Sequence, residues 1–320
     1  MRKRQENSNP GSQPMSSHRR IADYGFMVAF FILLVVAATM TDVFFTQRNL
    51  SNLFRQIVTN GLLSFGMLIV ILSGGIDLSI GPIVALTGIM AAGLQAYMWF
   101  PFAIIIALLV GITVGAANGF LVARFKLQPF IVTLAAMGAI RGFVYVYSET
   151  PKMPADPAFR SLLGGGFIGL VPVPALIMLA FLPLVWLFIN RTTMGRAIVA
   201  IGGNEEAVRL AGINVKGHLI LAYIISGFFA GMAGVLLASR LGIAQPSVGV
   251  GYELDAIAAV VIGGGVLGGG GGGAIGTMCG VLALGVIDNL LNLFNVQSYY
   301  QQILKGLIIL FAVLARRKEL

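Results

Sequence analysis

The stretch PFAIIIALLVGITVGAANGFLVA, Pro101–Ala123, contains no charged side chain and ends just before Arg124. An α-helix rises about 1.5 Å per residue, so a run of this length spans the roughly 30 Å hydrocarbon core of a bilayer. The whole chain has the same character, because 58% of its 320 residues are hydrophobic, 10% are charged, and the mean hydropathy is +0.92. Soluble domains carry about 25% charged residues, so this composition predicts an α-helical protein that crosses a membrane many times.

Further apolar runs lie on both sides of this stretch, and the sequence predicts an all-α fold with about ten transmembrane helices. The predicted spans are 24–43, 57–72, 80–98, 101–123, 129–147, 173–190, 217–239, 253–267, 274–294 and 299–315. The eighth span is short and would need neighbouring helices to shield its backbone. Residues 21–320 then form one transmembrane domain, preceded by a polar tail, residues 1–20, that is predicted to be disordered and cytoplasmic.

The distribution of Lys and Arg predicts the orientation, because cytoplasmic loops are enriched in these residues. With the N-terminus inside, the inner segments carry fourteen of the 21 Lys and Arg residues and the outer segments carry five, including Arg48 and Arg55. Both termini are therefore predicted to be cytoplasmic. The two long connections are an external one at about 148–173 and an internal one at about 191–217. These loops explain the net charge of +9, so no nucleic-acid partner is expected.

The residues that carry most enzyme and metal chemistry are scarce. The chain has one cysteine, Cys279, and two histidines, His18 and His218, so neither a disulfide framework, a Cys/His metal site nor a catalytic triad is expected. It has no G-x-x-x-x-G-K-[ST] motif and no loop long enough for an ATPase domain. The sequence therefore predicts a protein that is not an enzyme and binds no cofactor of its own.

The segment Gly263–Gly273 holds nine glycines in eleven positions and contains a literal G-x-G-x-x-G at Gly263, Gly265 and Gly268. A dinucleotide site needs a strand before the glycines and an amphipathic helix after them, whereas apolar runs of membrane-helix composition flank this segment. A nucleotide-binding membrane enzyme is thus the weaker interpretation. The stronger one is a tight reversal between the eighth and ninth spans with close helix contact.

Glycines also recur at a spacing of four within three predicted spans. They are Gly111, Gly115 and Gly119, then Gly227 and Gly231, then Gly276 and Gly280. In lipid this spacing lets helix backbones approach closely. It favours a compact bundle, with a subunit interface as the alternative.

The internal connection contains a short helix signal in GGNEEAVRLAGINV, Gly202–Val215. Asn204 is a favourable N-cap, and Glu205 and Glu206 lie in the first turn, where the helix dipole favours acids. Gly212 is typical of a C-terminal cap. The apolar face is formed by Ala207, Val208, Leu210 and Ala211. Such a face lies either on the membrane surface or against another protein, and the residues alone favour neither.

Five ionisable residues in or beside apolar runs are candidates for a translocation path or for structural roles. They are Asp77, Glu253, Asp255, Asp288 and Lys305. Asp77 is better explained as a cap of the following helix. Glu253 and Asp255 either line an entrance for a polar solute or stabilise the start of the eighth span. Asp288 and Lys305 are expected to form a neutral buried pair.

Three of these segments resemble the permease subunits of bacterial ABC importers for monosaccharides of the ribose type. The segments are GGIDLSIG (Gly74–Gly81), IGGNEEAVRLAGINV (Ile201–Val215) and YELDAIAAVVIGG (Tyr252–Gly264), and the likeness runs from about residue 25 to the C-terminus. It implies a multi-pass protein of the bacterial cytoplasmic membrane, paired with a second permease chain as a homodimer. It also implies a separate ABC ATP-binding subunit that uses ATP, and an extracytoplasmic sugar-binding protein that delivers ribose or a similar sugar.

The same resemblance identifies the short helix as a coupling helix for the ATP-binding subunit. Glu206, Ala207 and Val208 followed by Gly212 look like the family's E-A-A-x-x-x-G pattern, with Val208 in place of the second Ala. The implied coupling residues are Asn204, Glu205, Glu206, Ala207, Arg209, Leu210 and Gly212. The glycine run lacks the family's Thr-Ser pair, and a further hypothesis is that it flexes during alternating access. The alternative function is an ion-coupled secondary sugar transporter, which would need more acids at mid-membrane than the sequence offers.

Overall fold

The computed structural model describes residues 30–168 and 171–316, and the predicted tail, residues 1–20, lies outside these ranges. The helices are α1 Phe30–Met40, α2 Gln47–Leu72, α3 Ile80–Gly93, α4 Phe100–Phe125, α5 Pro129–Tyr147, α6 Val173–Arg191, α7 Thr193–Gly203, α8 Glu205–Leu210, α9 Val215–Leu241, α10 Tyr252–Ile262, α11 Ala274–Leu293 and α12 Ser298–Arg316. A 3₁₀ turn, Leu94–Ala96, extends α3, and a π-helical turn, Phe159–Gly165, precedes a small antiparallel hairpin of β1 (Phe167–Ile168) and β2 (Val171–Pro172).

Each of the ten predicted spans falls on a helix, which confirms a helical, polytopic membrane protein. Among the described residues, six helices are long and apolar enough to cross a membrane, namely α2, α4, α5, α6, α9 and α11. The helices α3 and α10 are shorter and largely buried by their neighbours, so lipid need not solvate their ends. The number of crossings and the orientation of the termini stay predictions.

The predicted start of the second span, residue 57, is wrong by about three helical turns. The helix α2 begins at Gln47, and the Thr46 hydroxyl caps it by accepting a hydrogen bond from the Asn49 N–H at 3.4 Å. Arg48 and Arg55 therefore lie on a helix and not in an irregular connection. The prediction failed because the polar side chains of the first turns lower the local hydropathy, although they continue the helix.

The two long connections contain more structure than the sequence predicted. The internal one holds α7 as well as α8. Thr192 is the N-cap of α7, and its hydroxyl accepts a hydrogen bond from the Gly195 N–H at 3.0 Å. The predicted eighth span, 253–267, is too long, because α10 ends at Ile262 and Gly264 adopts φ +105°. The external connection holds the π-helical turn and the hairpin.

The centre of the bundle is α9, which packs against α2, α3 and α4. The helices α4 and α9 meet along glycines, because a Cβ on Gly111 would lie 2.6 Å from the Gly227 carbonyl oxygen, and one on Gly115 would lie 2.2 Å from the Tyr223 carbonyl oxygen. Likewise, a Cβ on Gly280 of α11 would lie 2.0 Å from the Ala259 carbonyl oxygen of α10. These contacts confirm that the spaced glycines build the bundle of a single chain.

We expect Gly115→Ala to destabilise the protein by about 1–3 kcal/mol, because the added methyl group forces α4 and α9 apart. Gly138→Ala is the matched control, since a Cβ on Gly138 of α5 has no neighbour within 4 Å. The measurement is the thermal unfolding midpoint of each purified variant in detergent. Equal midpoints for the two variants would contradict this prediction and would show that α4 and α9 can move apart without a loss of stability.

Candidate functional site

A polar cavity of about 470 Å³ lies between α2, α9, α10, α11 and α12. Its lining residues are Asn52, Arg55, Gln56, Thr59, Asn60, Arg240, Tyr252, Asp255, Asp288, Asn292 and Lys305. Every one of them has a polar or charged side chain, in a chain that is 58% hydrophobic. Burying a polar group within a membrane protein costs free energy, and such groups usually line the paths of polar solutes and ions. We call this space the polar cavity.

The helix α2 supplies five of the lining residues because they recur with the period of a helix. Asn52, Gln56 and Asn60 follow each other at intervals of four, which places them on one face. Leu53 and Ile57 lie between them and are buried in the bundle core. Sequence reasoning missed this face because it began the predicted span at residue 57, although the spacing itself is visible in the sequence.

Lys305 connects three helices on one side of the polar cavity. Its Nζ lies 3.1 Å from Asp255 Oδ2 of α10 and 3.0 Å from Asp288 Oδ2 of α11. The predicted pair of Asp288 and Lys305 is confirmed, and Asp255 joins it. One ammonium group thus faces two largely buried carboxylates, so the cluster is not the neutral pair that the sequence predicted, and the lysine holds together two acids that would otherwise repel each other.

Two arginines complete the charges of the polar cavity. The Arg240 guanidinium donates a hydrogen bond to the Arg55 carbonyl oxygen. The Arg55 guanidinium lies over the Phe167 ring of the hairpin, 4.6 Å from its centroid, in a cation–π contact. Together with Lys305, the arginines give the lining three cations against two carboxylates.

Asp77 does not line the polar cavity. It is fully buried, and its carboxylate accepts hydrogen bonds from the Ser79 N–H at 3.0 Å, the Ser79 hydroxyl at 2.6 Å and the Ser226 hydroxyl at 2.8 Å. Asn118 of α4 in turn donates to the Ser79 hydroxyl oxygen at 2.8 Å. The predicted capping role holds in part, because Asp77 accepts the Ser79 N–H at the start of α3, although Ser79 and not Asp77 is the N-cap residue. Asp77 instead ties the start of α3 to α4 and α9.

Glu253 also lies away from the polar cavity, whereas Asp255 lines it. Both residues are in the first turn of α10, where a carboxylate interacts favourably with the helix dipole. Glu253 Oε2 is buried and has no hydrogen-bond partner among the described residues. Both acids therefore lie at the start of α10, as predicted, but only Asp255 also lines the polar cavity.

The predicted short helix is present as α8, with the predicted caps. The Asn204 side chain accepts a hydrogen bond from the Ala207 N–H at 2.9 Å. At the other end Gly212 has φ +78°, and its N–H donates to the Arg209 carbonyl oxygen at 3.0 Å. The Ile213 N–H donates to the Val208 carbonyl oxygen at 3.3 Å, which completes a Schellman motif. The chemistry of both caps was readable from the sequence because it is local.

The apolar face predicted for α8 is divided in the structure. Val208 is buried against Ile201 and Val215, whereas Leu210 is 74% exposed. Ala207 and Ala211 are exposed as well. Val208 thus anchors the helix to the bundle, and an apolar surface around Leu210 stays open.

The charged residues of α8 form an exposed ion pair. Arg209 donates from Nε to Glu206 Oε2 at 2.8 Å and makes a second contact with Oε1. These hydrogen bonds lower the pKa of the Glu206 carboxyl group below its usual value. Glu206 is therefore ionised at neutral pH.

The glycine run connects α10 to α11 and lies against the segment that leads into α8. A Cβ on Gly202 would lie 2.0 Å from the Leu72 carbonyl oxygen and 2.6 Å from the Gly270 nitrogen. A Cβ on Gly269 would lie 2.7 Å from the Gly202 Cα and 2.9 Å from the Gly74 Cα. Gly270 also donates to the Leu72 carbonyl oxygen at 3.1 Å. We call Gly74, Gly202, Gly269 and Gly270 the glycine junction.

The geometry of the run explains its composition. Gly269 and Gly270 have φ +94° and +73°, values that glycine adopts at the least cost. The helix α10, not a strand, precedes the run, so the dinucleotide fingerprint lacks its structural context. The predicted tight reversal with close contact is confirmed, and flexing of the run stays a prediction.

Comparisons with known proteins agree on one family. A family profile described as branched-chain amino acid transport system / permease component matches residues 49–313. The ribose import permease protein of Bacillus subtilis is 42% identical over 299 residues, which are 92% of this chain and 92% of that protein. The L-arabinose transport system permease protein of Escherichia coli K12 is 38% identical over 314 residues, 94% of this chain and 92% of that protein. The D-allose transport system permease protein of the same strain is 38% identical over 291 residues, 89% of each chain. No solved structure matches the chain.

Proposed function

Because this chain belongs to the branched-chain amino acid transport system / permease component family, we propose that it is the permease subunit of an ATP-driven importer for a monosaccharide such as ribose. It acts in the bacterial cytoplasmic membrane as a multi-pass protein with ten crossings and both termini inside. The relatives named above are permeases for ribose, L-arabinose and D-allose, and each is covered nearly end to end. Sugars are thus the substrate class that these relatives share.

The observation that carries this proposal is the polar cavity. A sugar ring bears hydroxyl groups around its edge, and each hydroxyl donates one hydrogen bond and accepts others. The lining offers amide, guanidinium, ammonium and carboxylate groups on all sides, and its volume of about 470 Å³ lies within the range of small-molecule sites. The polar cavity is therefore the part of the bundle best suited to pass a sugar.

The energy for transport comes from a separate ATP-binding subunit that docks on α8. An exposed apolar side chain, Leu210, and a helix fixed by caps at both ends support this role. The glycine junction connects the base of α8 to the C-terminal end of α2, whose other half lines the polar cavity. The remaining partners are a sugar-binding protein at the outer face and a second copy of this permease.

The test is uptake of labelled D-ribose, L-arabinose and D-allose by a deletion strain that expresses the permease with its ATP-binding subunit and binding protein. We expect uptake of one of these sugars, and its loss when the ATP-binding subunit carries a change that blocks hydrolysis. The same uptake is measured in liposomes that contain the permease without its ATP-binding subunit, where we expect no accumulation. Sugar accumulation in them under a proton or sodium gradient would establish the ion-coupled alternative instead.

A further inference from the structure

The polar cavity contains two side chains whose hydrogen-bonding capacity the protein does not use fully. Arg55 Nε, a donor, and Asp288 Oδ1, an acceptor, are buried atoms without a hydrogen-bond partner among the described residues. Both residues line the polar cavity, and Asp288 is only 6% exposed. As the side chains stand, each atom has almost no surface open to the cavity, so a ligand reaches it only after the side chain turns. A buried polar atom without a partner costs free energy, and a ligand that supplies the partner relieves this cost.

The other atoms of these two side chains are held in place. Asp288 Oδ2 lies 3.0 Å from Lys305 Nζ, which leaves Oδ1 as the free acceptor of the carboxylate. The Arg55 guanidinium rests on the Phe167 ring at 4.6 Å. These contacts hold both side chains in the wall of the polar cavity, next to the space that a ligand would occupy.

We propose that Arg55 and Asp288 bind the transported solute directly, and that the solute class is a neutral ring with several hydroxyl groups. One hydroxyl accepts a hydrogen bond from Arg55, and another donates one to Asp288. This inference rests on the proposed function and adds to it a solute site within the permease itself.

The lining as a whole has three cations and two carboxylates, but the opposite charges of Arg55 and Asp288, the two proposed contacts, favour a neutral solute over a charged one. A solute carboxylate would satisfy Arg55 but repel Asp288, and a solute ammonium group would do the reverse. Hydroxyl groups satisfy both residues, because each can donate and accept. Asn52, Asn60 and Asn292 line the same cavity and offer amide groups to the remaining hydroxyls.

The experiment measures equilibrium binding of tritiated D-ribose to the full permease in lipid nanodiscs together with its ATP-binding subunit, with L-arabinose and D-allose as competitors. Arg55→Met and Asp288→Asn are each expected to weaken binding by about 10-fold or more, since the first removes a charged donor and the second replaces a charged acceptor by a weaker neutral amide. Arg48→Met is the matched control, because Arg48 is an exposed arginine of the same helix that does not line the cavity. Its affinity should equal that of the wild type.

Deoxy sugars separate direct contact from a structural effect. One of the 2-deoxy and 3-deoxy forms of D-ribose should lack the hydroxyl that contacts Arg55 or Asp288. For that sugar, replacing the same residue should weaken binding by less than about 2-fold, because the contact is already missing. Equal losses for every sugar, or no saturable binding of any of the three sugars to the wild type, would overturn the inference.

A separate measurement of uptake by the complete importer distinguishes failure of the solute site from failure of the proposed function. Normal import together with unchanged binding by both variants would overturn the solute site and leave the function intact. Failure of the wild type to import any of the three sugars would overturn the proposed function. Arg55 and Asp288 are tested separately, so a folding failure of one variant leaves the other decisive.

Discussion

Replacing Leu210 by Glu is expected to abolish copurification of the ATP-binding subunit with the permease and to stop sugar uptake. Leu210 is 74% exposed on α8, so the substitution does not disturb the bundle core. A central apolar contact of an interface contributes about 2 kcal/mol or more, and a buried carboxylate in its place adds a desolvation penalty. The expected loss of affinity is at least about 30-fold. Pull-down of the ATP-binding subunit from detergent-solubilised membranes measures it.

Val250→Glu is the matched control for this experiment. Val250 is 75% exposed, nearly the same as Leu210, but it lies in the connection between α9 and α10, at the other end of α9 from α8. The same change in charge there should leave the ATP-binding subunit bound. Retention of this subunit by the Leu210→Glu variant would contradict the docking role of α8.

Replacing Lys305 by Gln is expected to lower the free energy of unfolding by about 3 kcal/mol and to reduce uptake. The change leaves the Asp255 and Asp288 carboxylates facing one another without the ammonium group that lies about 3 Å from each. Removal of one partner of a buried ion pair costs about 3–5 kcal/mol, and the 22% exposure of the Lys305 side chain favours the lower end. The measurement is chemical or thermal unfolding of the purified permease, with Lys216→Gln as an exposed control that should change stability by less than about 0.5 kcal/mol.

A triple variant tests the cause of that loss. When Asp255→Asn and Asp288→Asn are added to Lys305→Gln, no buried charge of the cluster stays unpaired, so stability should recover most of the deficit. A triple variant as unstable as Lys305→Gln alone would mean that the lysine acts through packing of its alkyl stem and not through its charge.

The elements that could be predicted from the sequence depend on short-range chemistry. The run Pro101–Ala123 predicted its helix from composition, and Asn204 and Gly212 predicted both ends of α8 because a cap involves residues only three or four positions apart. The pair of Asp288 and Lys305 could be expected because few other charges in the spans were available to balance them.

The polar cavity could not be predicted, because it depends on where helices from distant parts of the chain meet. The first turns of α2 resemble a loop when only mean hydropathy is considered, and the predicted boundary at residue 57 left Asn52, Arg55 and Gln56 outside the predicted span. Asp255 lines the polar cavity and Glu253 does not, because the two residues are two positions apart on α10 and point in different directions around the helix. Which of these directions faces the cavity is fixed by packing and not by local preference.

The glycine junction limits how this protein can change by mutation. A side chain added at Gly202 meets the backbone of α2 and of the glycine run, and a backbone cannot be made smaller by substitution. Its partners, Gly74, Gly269 and Gly270, already lack side chains, so no second change among these positions can restore the lost space. A strain that loses Gly202 can regain transport only by true reversion or by changes elsewhere that move a helix. Selection for revertants after such a loss would therefore return true revertants or suppressors outside the junction.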